Sequence, residues 1–277
     1  MTNKDKITLH RVPATKAGAL PYVCLEDTDI DGKFAVIDVE TTGLDSQSDE
    51  IIELGICLVE YSNYYGVVNI TESWSLLEKP SQPISPEITK ITGITNEDVA
   101  GCRIDDQAVS DALTGVDFII AHNASFDRKF FDKRLPQLAK FKWSCSMAET
   151  DWRSRGYETK ALKYLLMDNG FFFDGHRAGI DAIATAWLMR CDWDAFRDVK
   201  DSAFRDDYTV RVLGNSFAIK DELKIAGMRF TDCEVNGKHW FISGLGLVER
   251  DEMAGYVQFL GHTNIKTEVV TPFDRYK

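Results

Sequence analysis

The chain has 277 residues, of which 44% are hydrophobic and 27% are charged, a composition typical of a globular protein with one sizeable domain and a smaller one, or of two domains. Its formal net charge of −12 argues against a protein that holds nucleic acid in a large basic groove. No stretch approaches the ~18 apolar residues of a membrane span. Residues 1–21 lack the apolar core of a signal peptide, so we expect a cytoplasmic protein without membrane contact.

Six cysteines are scattered along the chain, and no two are close enough to form a C-x-x-C pair. This distribution predicts reduced core thiols rather than disulfides. The five histidines show no ligand spacing that would indicate a structural zinc site. The cysteines are Cys24, Cys57, Cys102, Cys145, Cys191 and Cys233.

The first part of the chain predicts three strands. Residues 1–32 show weak periodicity and several turn formers, and we interpret them as an N-terminal arm. A buried strand is predicted at 34–39. Segments 50–61 and 65–77 are rich in β-branched and aromatic residues and are separated by a short turn, which favours a hairpin. We therefore expect three antiparallel strands.

Helical signals alternate with a further strand in the next part of the chain. Ser85 as a cap and Pro86 at the first helical position predict a helix that ends at Gly93. Apolar residues at helical spacing predict the later helices. The predicted elements are that short helix, a strand at 116–123, and helices at 125–135, 159–170 and 177–190. Three strands followed by alternating helices and strands indicate an α/β domain with a mixed sheet over 33–192.

The pattern restarts after Trp193, and we interpret 193–207 as a linker to a small α+β domain at 208–277. Its predicted elements run β-α-β-β-α-β, the order of a ferredoxin-like split βαβ unit. Ser216 is the predicted cap of the first helix, and Asn236-Gly237 a two-residue hairpin turn. The predicted strands are 208–214, 228–235, 238–244 and 264–270, and the helices are 216–227 and 248–261.

Two acids stand at the end of the first predicted strand, in the sequence FAVIDVETTGL (34–44). Side chains alternate across a strand, so Asp38 and Glu40 project from one face. Buried unpaired carboxylates are costly. The alternative is that the strand ends here and both acids are solvated beside a Thr-Thr-Gly turn.

Two further segments place chemically active residues beside turns. Asp127 follows the strand at 116–123, where an acid is often only a charge favoured by the helix dipole. His176 precedes a predicted helix that contains Asp181, and alone they would be a turn histidine and a solvated acid. With Asp38 and Glu40 they make four carboxylates and one histidine, which suits two divalent cations and a base. Mg²⁺ and Mn²⁺ prefer oxygen ligands, and two such ions can clamp the attacking and leaving oxygens of a phosphodiester.

The distribution of charge agrees with this interpretation. Residues 208–277 contain nine basic and nine acidic residues, so residues 1–207 hold the remaining 23 basic and 35 acidic residues, the whole excess of twelve. Such an excess favours a protein that concentrates carboxylates around cations.

The three acidic segments, in this order, resemble the motifs of DnaQ-like, DEDDh-type 3′–5′ exonucleases, a family that includes the proofreading epsilon subunit of bacterial DNA polymerase III. That family carries D-x-E, H-N-x-x-F-D and H-x-A-x-x-D in succession. This chain has D-V-E at 38–40, H-N-A-S-F-D at 122–127 and H-R-A-G-I-D at 176–181, and the segment 84–95 is also similar. The resemblance covers roughly residues 33–192 and implies an RNase H-like fold.

The resemblance also implies a role for each residue. Asp38, Glu40 and Asp181 would hold one metal ion, and Asp38 with Asp127 a second, so that the implied cofactors are two Mg²⁺ or Mn²⁺ ions. His176 would take the proton from the attacking water, for which a histidine, titrating near neutral pH, is suited. The implied reaction releases a nucleoside 5′-monophosphate by positioning and charge neutralisation.

Four residues are candidates for contact with the terminal nucleotide. Thr41, Thr42 and Gly43 follow the acids, and the resemblance favours substrate contact, although Thr-Thr-Gly is also simply a good turn sequence. Asn123 either contacts the strand or caps the helix that follows it. We give His122 a structural role.

These features predict a metal-dependent 3′–5′ exonuclease that acts on a free 3′ end of single-stranded or frayed DNA. One alternative is an exoribonuclease or oligoribonuclease with the same site, because the motifs do not separate DNA from RNA. The other is a nucleic-acid or replication-partner binding module with little turnover, against which the complete acid set weighs. We expect the second domain to position substrate, self-associate or dock a polymerase. Its Trp240 and Phe241 either stack on bases or cover the core face of the sheet.

Overall fold

A computed structural model describes residues 8–12 and 29–277, which form two compact units. The first unit runs through Ala203 and also includes Tyr276–Lys277, and the second is Phe204–Arg275. Most of the expected N-terminal arm lies outside the described residues, as does Cys24.

The first unit is built on a mixed five-stranded sheet. Its strands are β2 (Gly32–Thr41), β3 (Ile51–Ser62), β4 (Gly66–Leu77), β5 (Phe118–Ala121) and β6 (Trp143–Cys145). They lie in the order β4-β3-β2-β5-β6, with the β2–β3 and β3–β4 pairs antiparallel and the β2–β5 and β5–β6 pairs parallel. The predicted mixed sheet with three initial antiparallel strands is therefore confirmed. A two-residue strand β1 (His10–Arg11) pairs separately with β7 (Phe171–Phe172).

Helices cover both faces of this sheet. They are α1 (Pro86–Thr92), α2 (Asp106–Ala112), α3 (Ala124–Arg134), α4 (Leu162–Asp168), α5 (Ala178–Cys191) and α6 (Trp193–Phe204). Phe34 and Val36 of β2 belong to the core cluster that contains α5, whereas Ala35 and Ile37 belong to the cluster that contains α3. The alternation of side chains along β2 thus divides the core into two layers.

Local signals account for most of these helices. Ser85 accepts a hydrogen bond from the Ile88 backbone N–H, and Gly93 closes α1 in the left-handed conformation with φ 71°, as the sequence predicts. Helix α2 and strand β6 have no counterpart among the predicted elements. Asp105 caps α2 by accepting from the backbone of Gln107 and Ala108, a signal that is visible in the sequence.

The N-terminus of α5 lies directly on the sheet because two glycines allow it. A Cβ atom on Gly55 of β3 would lie 2.0 Å from the carbonyl oxygen of Ala178, and one on Gly179 would lie 2.8 Å from the Cβ of Ser75. Any larger side chain at either position would push the helix off the strands. The close approach places the first turn of α5 against β3, the strand that pairs with β2.

The predicted linker at 193–207 is mostly helix α6, so its extended conformation is wrong, although the boundary between the two units does fall inside this range, after Ala203. Ala195, Phe196, Val199 and Ala203 recur at helical spacing and are buried in the core of the first unit. Phe196 packs its ring 5.5 Å from that of Phe34. The end of the chain also departs from the predicted boundary, since the Tyr276 hydroxyl donates to Glu149 within the first unit.

The second unit contains a four-stranded antiparallel sheet with two helices on one face. Its elements are β8 (Asp207–Leu213), α7 (Lys220–Ile225), β9 (Arg229–Cys233), β10 (Gly237–Leu245), α8 (Leu247–Phe259) and β11 (Ile265–Val270). The strand order is β11-β8-β10-β9. Val210 and Val212 of β8 form the core with Leu223 of α7 and Val257 of α8. Ser216 does not cap α7 as predicted, because a 3₁₀ turn at Phe217–Ile219 separates them.

Two smaller expectations can be compared with the described residues. The five cysteines among them are free thiols, of which Cys57 and Cys145 are buried in the core and the other three are partly exposed. Within the part of the chain that the structure describes, no helix is long and apolar enough to span a membrane.

Candidate active site

Asp38 and Glu40 lie at the end of β2, on the face that packs against α5. Strands β2 and β5 are parallel, so their carboxyl ends meet at one edge of the sheet, and only two residues separate the end of β5 from the start of α3. In open α/β sheets, binding sites form at the carboxyl ends of the strands. The topology therefore brings the first two acidic motifs to the same edge.

Asp181 joins the two strand acids to form a compact group. One carboxylate oxygen from each of Asp38, Glu40 and Asp181 can be chosen so that all lie within 4.8 Å of one another. Asp181 stands in the first turn of α5, where its Oδ2 accepts from the Arg177 backbone N–H at 3.1 Å. The third motif thus reaches the first because the N-terminus of α5 rests on the sheet.

Asp127 approaches from the opposite helix layer. It lies in the first turn of α3, is buried, and its Oδ1 accepts from the backbone N–H of Val39 at 3.1 Å. Val39 stands between Asp38 and Glu40, so this hydrogen bond fixes α3 to the strand segment that carries both acids. Asp127 is outside the 4.8 Å group, but its charge acts on Asp38.

The proximity of four carboxylates raises their pKa values. Burial, followed by the charges of Asp181 and Glu53, raises the pKa of Glu40 to about 7, against the opposing effect of Arg177. Burial is also the main cause of the raised pKa of Asp38, followed by the charge of Asp127. The pKa values of Asp127 and Asp181 are raised by burial as well, although backbone N–H donors oppose this. Raised pKa values mean that the ionised carboxylates are disfavoured here, and a bound cation would stabilise them in that form.

His176 is exposed and stands just before the N-cap of α5, between Gly175 and Arg177. Its backbone has φ 69°, in the left-handed region that favours glycine. Non-glycine residues persist there only when the surrounding structure holds them, and such residues cluster at functional sites. The anchoring of the next residue, Arg177, provides this restraint.

Glu53 of β3 borders the candidate site, and the sequence analysis did not single it out. It pairs with Glu40 across the antiparallel ladder and is fully buried. Its carboxylate accepts from Nε and Nη2 of Arg177, both at 2.9 Å, from the Ala178 backbone N–H at 3.0 Å, and from the Ser75 hydroxyl. The only sequence signal is an acid within the otherwise apolar stretch IIELGI (51–56). Glu53 therefore anchors the N-cap residue Arg177 and the first residue of α5, Ala178.

The Thr-Thr-Gly turn uses its side chains internally. The Thr41 hydroxyl donates to the carbonyl of Gly43, and the Thr42 hydroxyl donates to Asp49 Oδ1 at 3.1 Å. The Glu50 backbone N–H donates to the Thr42 hydroxyl oxygen at 3.0 Å. The structure thus accounts for both threonines as turn residues.

Leu44, the next residue, is a candidate contact that the sequence analysis did not single out. Leu44 is 87% exposed and lies four residues after Glu40 in the sequence. Asn123 is also exposed, and its side chain does not cap α3 but accepts from the Ser125 hydroxyl at 3.1 Å. The capping alternative for Asn123 is therefore not observed, and contact with the strand stays a prediction.

His122 has the structural role expected of it. Its two ring nitrogens lie 2.8 Å from the Ser146 hydroxyl and 2.7 Å from the Lys160 carbonyl. Burial lowers the pKa of His122 to about 4. The ring is therefore neutral at physiological pH and holds the start of α3 against the segment before α4.

The donor set fits hard divalent cations. The group of Asp38, Glu40 and Asp181 offers only carboxylate oxygens, which Mg²⁺ and Mn²⁺ prefer over softer metals. Their raised pKa values come first from burial and then from the neighbouring negative charges, which a bound metal ion would offset. The site has no thiolate or clustered imidazoles of the kind that zinc selects.

A mixed sheet whose carboxyl edge gathers acids from three motifs defines an RNase H-like, metal-dependent nuclease. The family model RNase_T, described as exonuclease, matches residues 35–189, more than half of the chain. The chain therefore belongs to the RNase_T exonuclease family, which confirms the resemblance to DnaQ-like, DEDDh-type exonucleases. Members of this family depend on divalent metal ions.

The relatives include replication proteins. DNA polymerase III subunit epsilon of Aquifex aeolicus is 32% identical over 172 residues, which cover 60% of this chain and 82% of that protein. DNA polymerase III PolC-type of Thermotoga maritima is 34% identical over 174 residues, 57% of this chain but only 12% of that protein. The chain thus spans about an eighth of the length of its PolC-type relatives. Among solved structures, Exonuclease X in complex with 5′ overhanging duplex DNA is 27% identical, with 62% of this chain and 94% of that chain covered at a TM-score of 0.45.

Proposed function

We propose that the protein is a metal-dependent 3′–5′ exonuclease that removes nucleoside 5′-monophosphates from single-stranded or frayed DNA. The observation that carries this proposal is the convergence of Asp38, Glu40 and Asp181 within 4.8 Å, next to the anchored Asp127. The raised pKa values show that it is unfavourable to keep these four carboxylates ionised next to one another. Such a group is suited to bind cations that contact a phosphodiester. The kinship with the epsilon subunit supports DNA as the substrate.

Asp38, Glu40 and Asp181 would hold one divalent ion, and Asp38 with Asp127 a second. Ions held there would supply positive charge to the phosphodiester and to the departing oxygen and would lower the pKa of a bound water. The Val39–Asp127 hydrogen bond holds the two acidic motifs in register, and the Glu53–Arg177 pair holds the third. The side chains are thereby positioned before substrate arrives.

His176 is the proposed general base. Its imidazole accepts a proton from water as the water oxygen forms a bond to phosphorus and the bond from phosphorus to the 3′ oxygen breaks. The departing 3′ oxygen takes a proton from solvent, which leaves a shortened strand with a 3′-hydroxyl. The exposure of His176 lets the imidazole return its proton to water between turnovers.

The test uses a 5′-labelled DNA strand and an RNA strand of the same sequence, each with Mg²⁺ and then Mn²⁺. Asp38→Asn is the matched control, since it keeps the shape of the side chain and removes its charge. We expect a ladder that shortens from the 3′ end, absent in Asp38→Asn, and faster on DNA. A 3′-labelled strand should release its label at once as a mononucleotide.

Each other outcome would support a different activity for this protein. Internal cleavage products before any mononucleotide would contradict the exonuclease. Faster degradation of RNA would replace the DNA assignment with an exoribonuclease or oligoribonuclease. No shortening of either strand would leave a binding module with little turnover.

A further inference from the structure

The second unit contains a cleft between the segment that leads into α7 and the strands β9 and β10. Its volume is about 340 Å³, within the size range of small-ligand sites. All of the residues that line it come from this unit. They are Gly214, Asn215, Ser216, Phe217, Lys220, Phe230, Lys238 and Trp240.

Three aromatic rings line the cleft, and two of them are largely in water. Phe217 is 73% exposed and Phe230 is 56% exposed. Phe230 and Trp240 face each other across β9 and β10 in an edge-to-face pair with centroids 5.4 Å apart. Trp240 also packs on the core, so it gives the floor of the cleft a fixed position. Clustered exposed rings of this kind mark interaction surfaces rather than ordinary surface residues.

The charge in the cleft is positive although the chain as a whole is strongly acidic. The Lys220 ammonium lies 4.2 Å from the centroid of the Phe217 ring, and Lys238 lies two residues from Trp240 on the same face of β10. Neither lysine forms an ion pair within 4.0 Å in the part of the chain that the structure describes, even though Asp232 lies opposite Lys238 in the ladder. No carboxylate lines the cleft.

A second hollow in the same unit has the opposite character. It is lined by Leu245, Glu249, Glu252, Met253 and Tyr256, so its polar groups are acidic. The two hollows therefore differ in the sign of the charged groups that line them. Stacking on aromatic rings together with cationic contacts to phosphates is how proteins bind single strands without reading their sequence.

We propose that this cleft binds an unpaired segment of single-stranded nucleic acid, with bases stacked on the exposed rings of Phe217 and Phe230 and backbone phosphates on Lys220 and Lys238. The choice of a nucleic acid over an apolar peptide follows from the two unpaired ammonium groups, and it draws on the proposed function of the first unit. The cleft adds a binding site outside the catalytic centre.

Binding is measured on the full chain carrying Asp38→Asn, in EDTA and at low salt, by the fluorescence anisotropy of a 5′-labelled fifteen-residue oligothymidine. Without metal the acids of the active site repel the strand, so the affinity reports on the cleft. Phe217→Ala should weaken binding about 5- to 100-fold. Lys220→Ala should lower the slope of log affinity against log salt by about 0.7, the share of one phosphate contact on a single strand.

Two matched controls come from the same unit. Phe259 is 85% exposed on α8, outside the cleft, and Lys224 is exposed on α7 without lining the cleft. Phe259→Ala and Lys224→Ala should bind the oligothymidine as the parent does. Equal losses of affinity in Phe217→Ala and Phe259→Ala would overturn the proposal. The absence of any binding by the parent protein would also overturn it, and would favour an apolar peptide as the occupant.

A second measurement separates this proposal from the proposed function. With the active site intact, Phe217→Ala and Lys220→Ala should hydrolyse a nitrophenyl ester of thymidine 5′-monophosphate at the parental rate, because that substrate has no further nucleotides to reach the cleft. Loss of oligothymidine binding supports the cleft even if the parent hydrolyses nothing, in which case only the proposed function fails. Parental binding by Phe217→Ala in an active exonuclease overturns the cleft alone.

Discussion

The carboxylate of Glu53 and the guanidinium of Arg177 form a two-point ion pair, with both N···O distances at 2.9 Å, across 124 residues of the chain. Glu53 is fully buried, and a buried charge is tolerated only when it is paired and hydrogen-bonded. Arg177 stands between His176 and Ala178, and Glu53 also accepts from the Ala178 N–H. The pair therefore determines where α5 begins, and with it the positions of His176 and Asp181.

Glu53→Gln should reduce kcat by on the order of 10- to 100-fold, since small displacements of catalytic groups have effects of that size. The amide keeps the shape of the side chain but does not accept from both guanidinium nitrogens of Arg177. KM for the strand should change little, because Glu53 is buried away from substrate. Steady-state kinetics on a defined oligonucleotide measure both constants. Glu60→Gln, on the same strand in a pair with Lys33, is the control and should leave kcat unchanged.

Arg177 provides a graded version of the same test. Lysine restores the charge but only a single contact, so the kcat of Arg177→Lys should lie between those of Arg177→Met and the parent. A purely structural role for the pair predicts instead that activity per folded molecule is constant in all three. Melting curves recorded beside the kinetics separate the two cases.

His176→Ala should slow the hydrolysis of single-stranded DNA by on the order of 10²–10⁴-fold, the usual contribution of a general base. The strand should still bind, because the four carboxylates that would hold the cations are untouched. His10→Ala is the control, since His10 is an exposed histidine of β1 outside the site. Parental rates in His176→Ala would show that water reaches the phosphodiester without this imidazole.

Leu44→Ala should raise KM for oligonucleotides about tenfold with little change in kcat, if the exposed side chain packs on the terminal nucleotide. A tenfold change corresponds to roughly the free energy gained when a leucine side chain is buried on binding. Ile225→Ala, an equally exposed apolar residue of the second unit, is the matched control. An unchanged KM in Leu44→Ala would mean that the Thr-Thr-Gly turn meets the strand through its backbone alone.

The acids of the site could be predicted from the sequence because each lies at the end of an element with a clear period. Asp38 and Glu40 lie near the end of β2, directly after a run of buried apolar residues. Asp181 lies in the first turn of a helix whose apolar residues recur at helical spacing. The parallel pairing of β2 with β5 then brings Asp127 to them. Periodicity places each acid on its element from a single segment, but the site itself is predicted only because the three segments occur together in this order.

What could not be predicted depends on contacts between distant segments. Glu53 reads as a strand acid until α5 is placed on β3, and the left-handed backbone of His176 has no sequence signature outside glycine. Helix α6 was not predicted because its apolar residues are interspersed with charged ones. Five acidic and basic side chains lie between Asp194 and Asp201, a composition that favours a solvated linker. Its burial depends on the space beside Phe34 and Tyr61, which only the folded sheet creates.

The metal-free protein should lose stability as the pH rises from about 4.5 to about 7. Burial, followed by the charges of Asp181 and Glu53, raises the pKa of Glu40 from 4.5 to about 7, so the folded state binds its proton more tightly than the unfolded state does. The stabilisation that comes from this proton is complete below the unfolded pKa and is lost as the pH passes through about 7. Asp38 acts in the same direction. Melting temperatures measured in EDTA across this range check the sign.

Asp38→Asn removes one of the crowded charges, so in EDTA at pH 8 it should melt at a higher temperature than the parent, with a flatter pH dependence. Mg²⁺ should raise the melting temperature of the parent, because a ligand that binds only the folded state stabilises it, and more strongly at pH 8 than at pH 6 because the ligands must lose protons. Asp38→Asn should respond little to Mg²⁺. Asp201→Asn, at an exposed acid of α6, should follow the parent in every condition. Equal responses to Mg²⁺ in the parent and in Asp38→Asn would place the cation elsewhere.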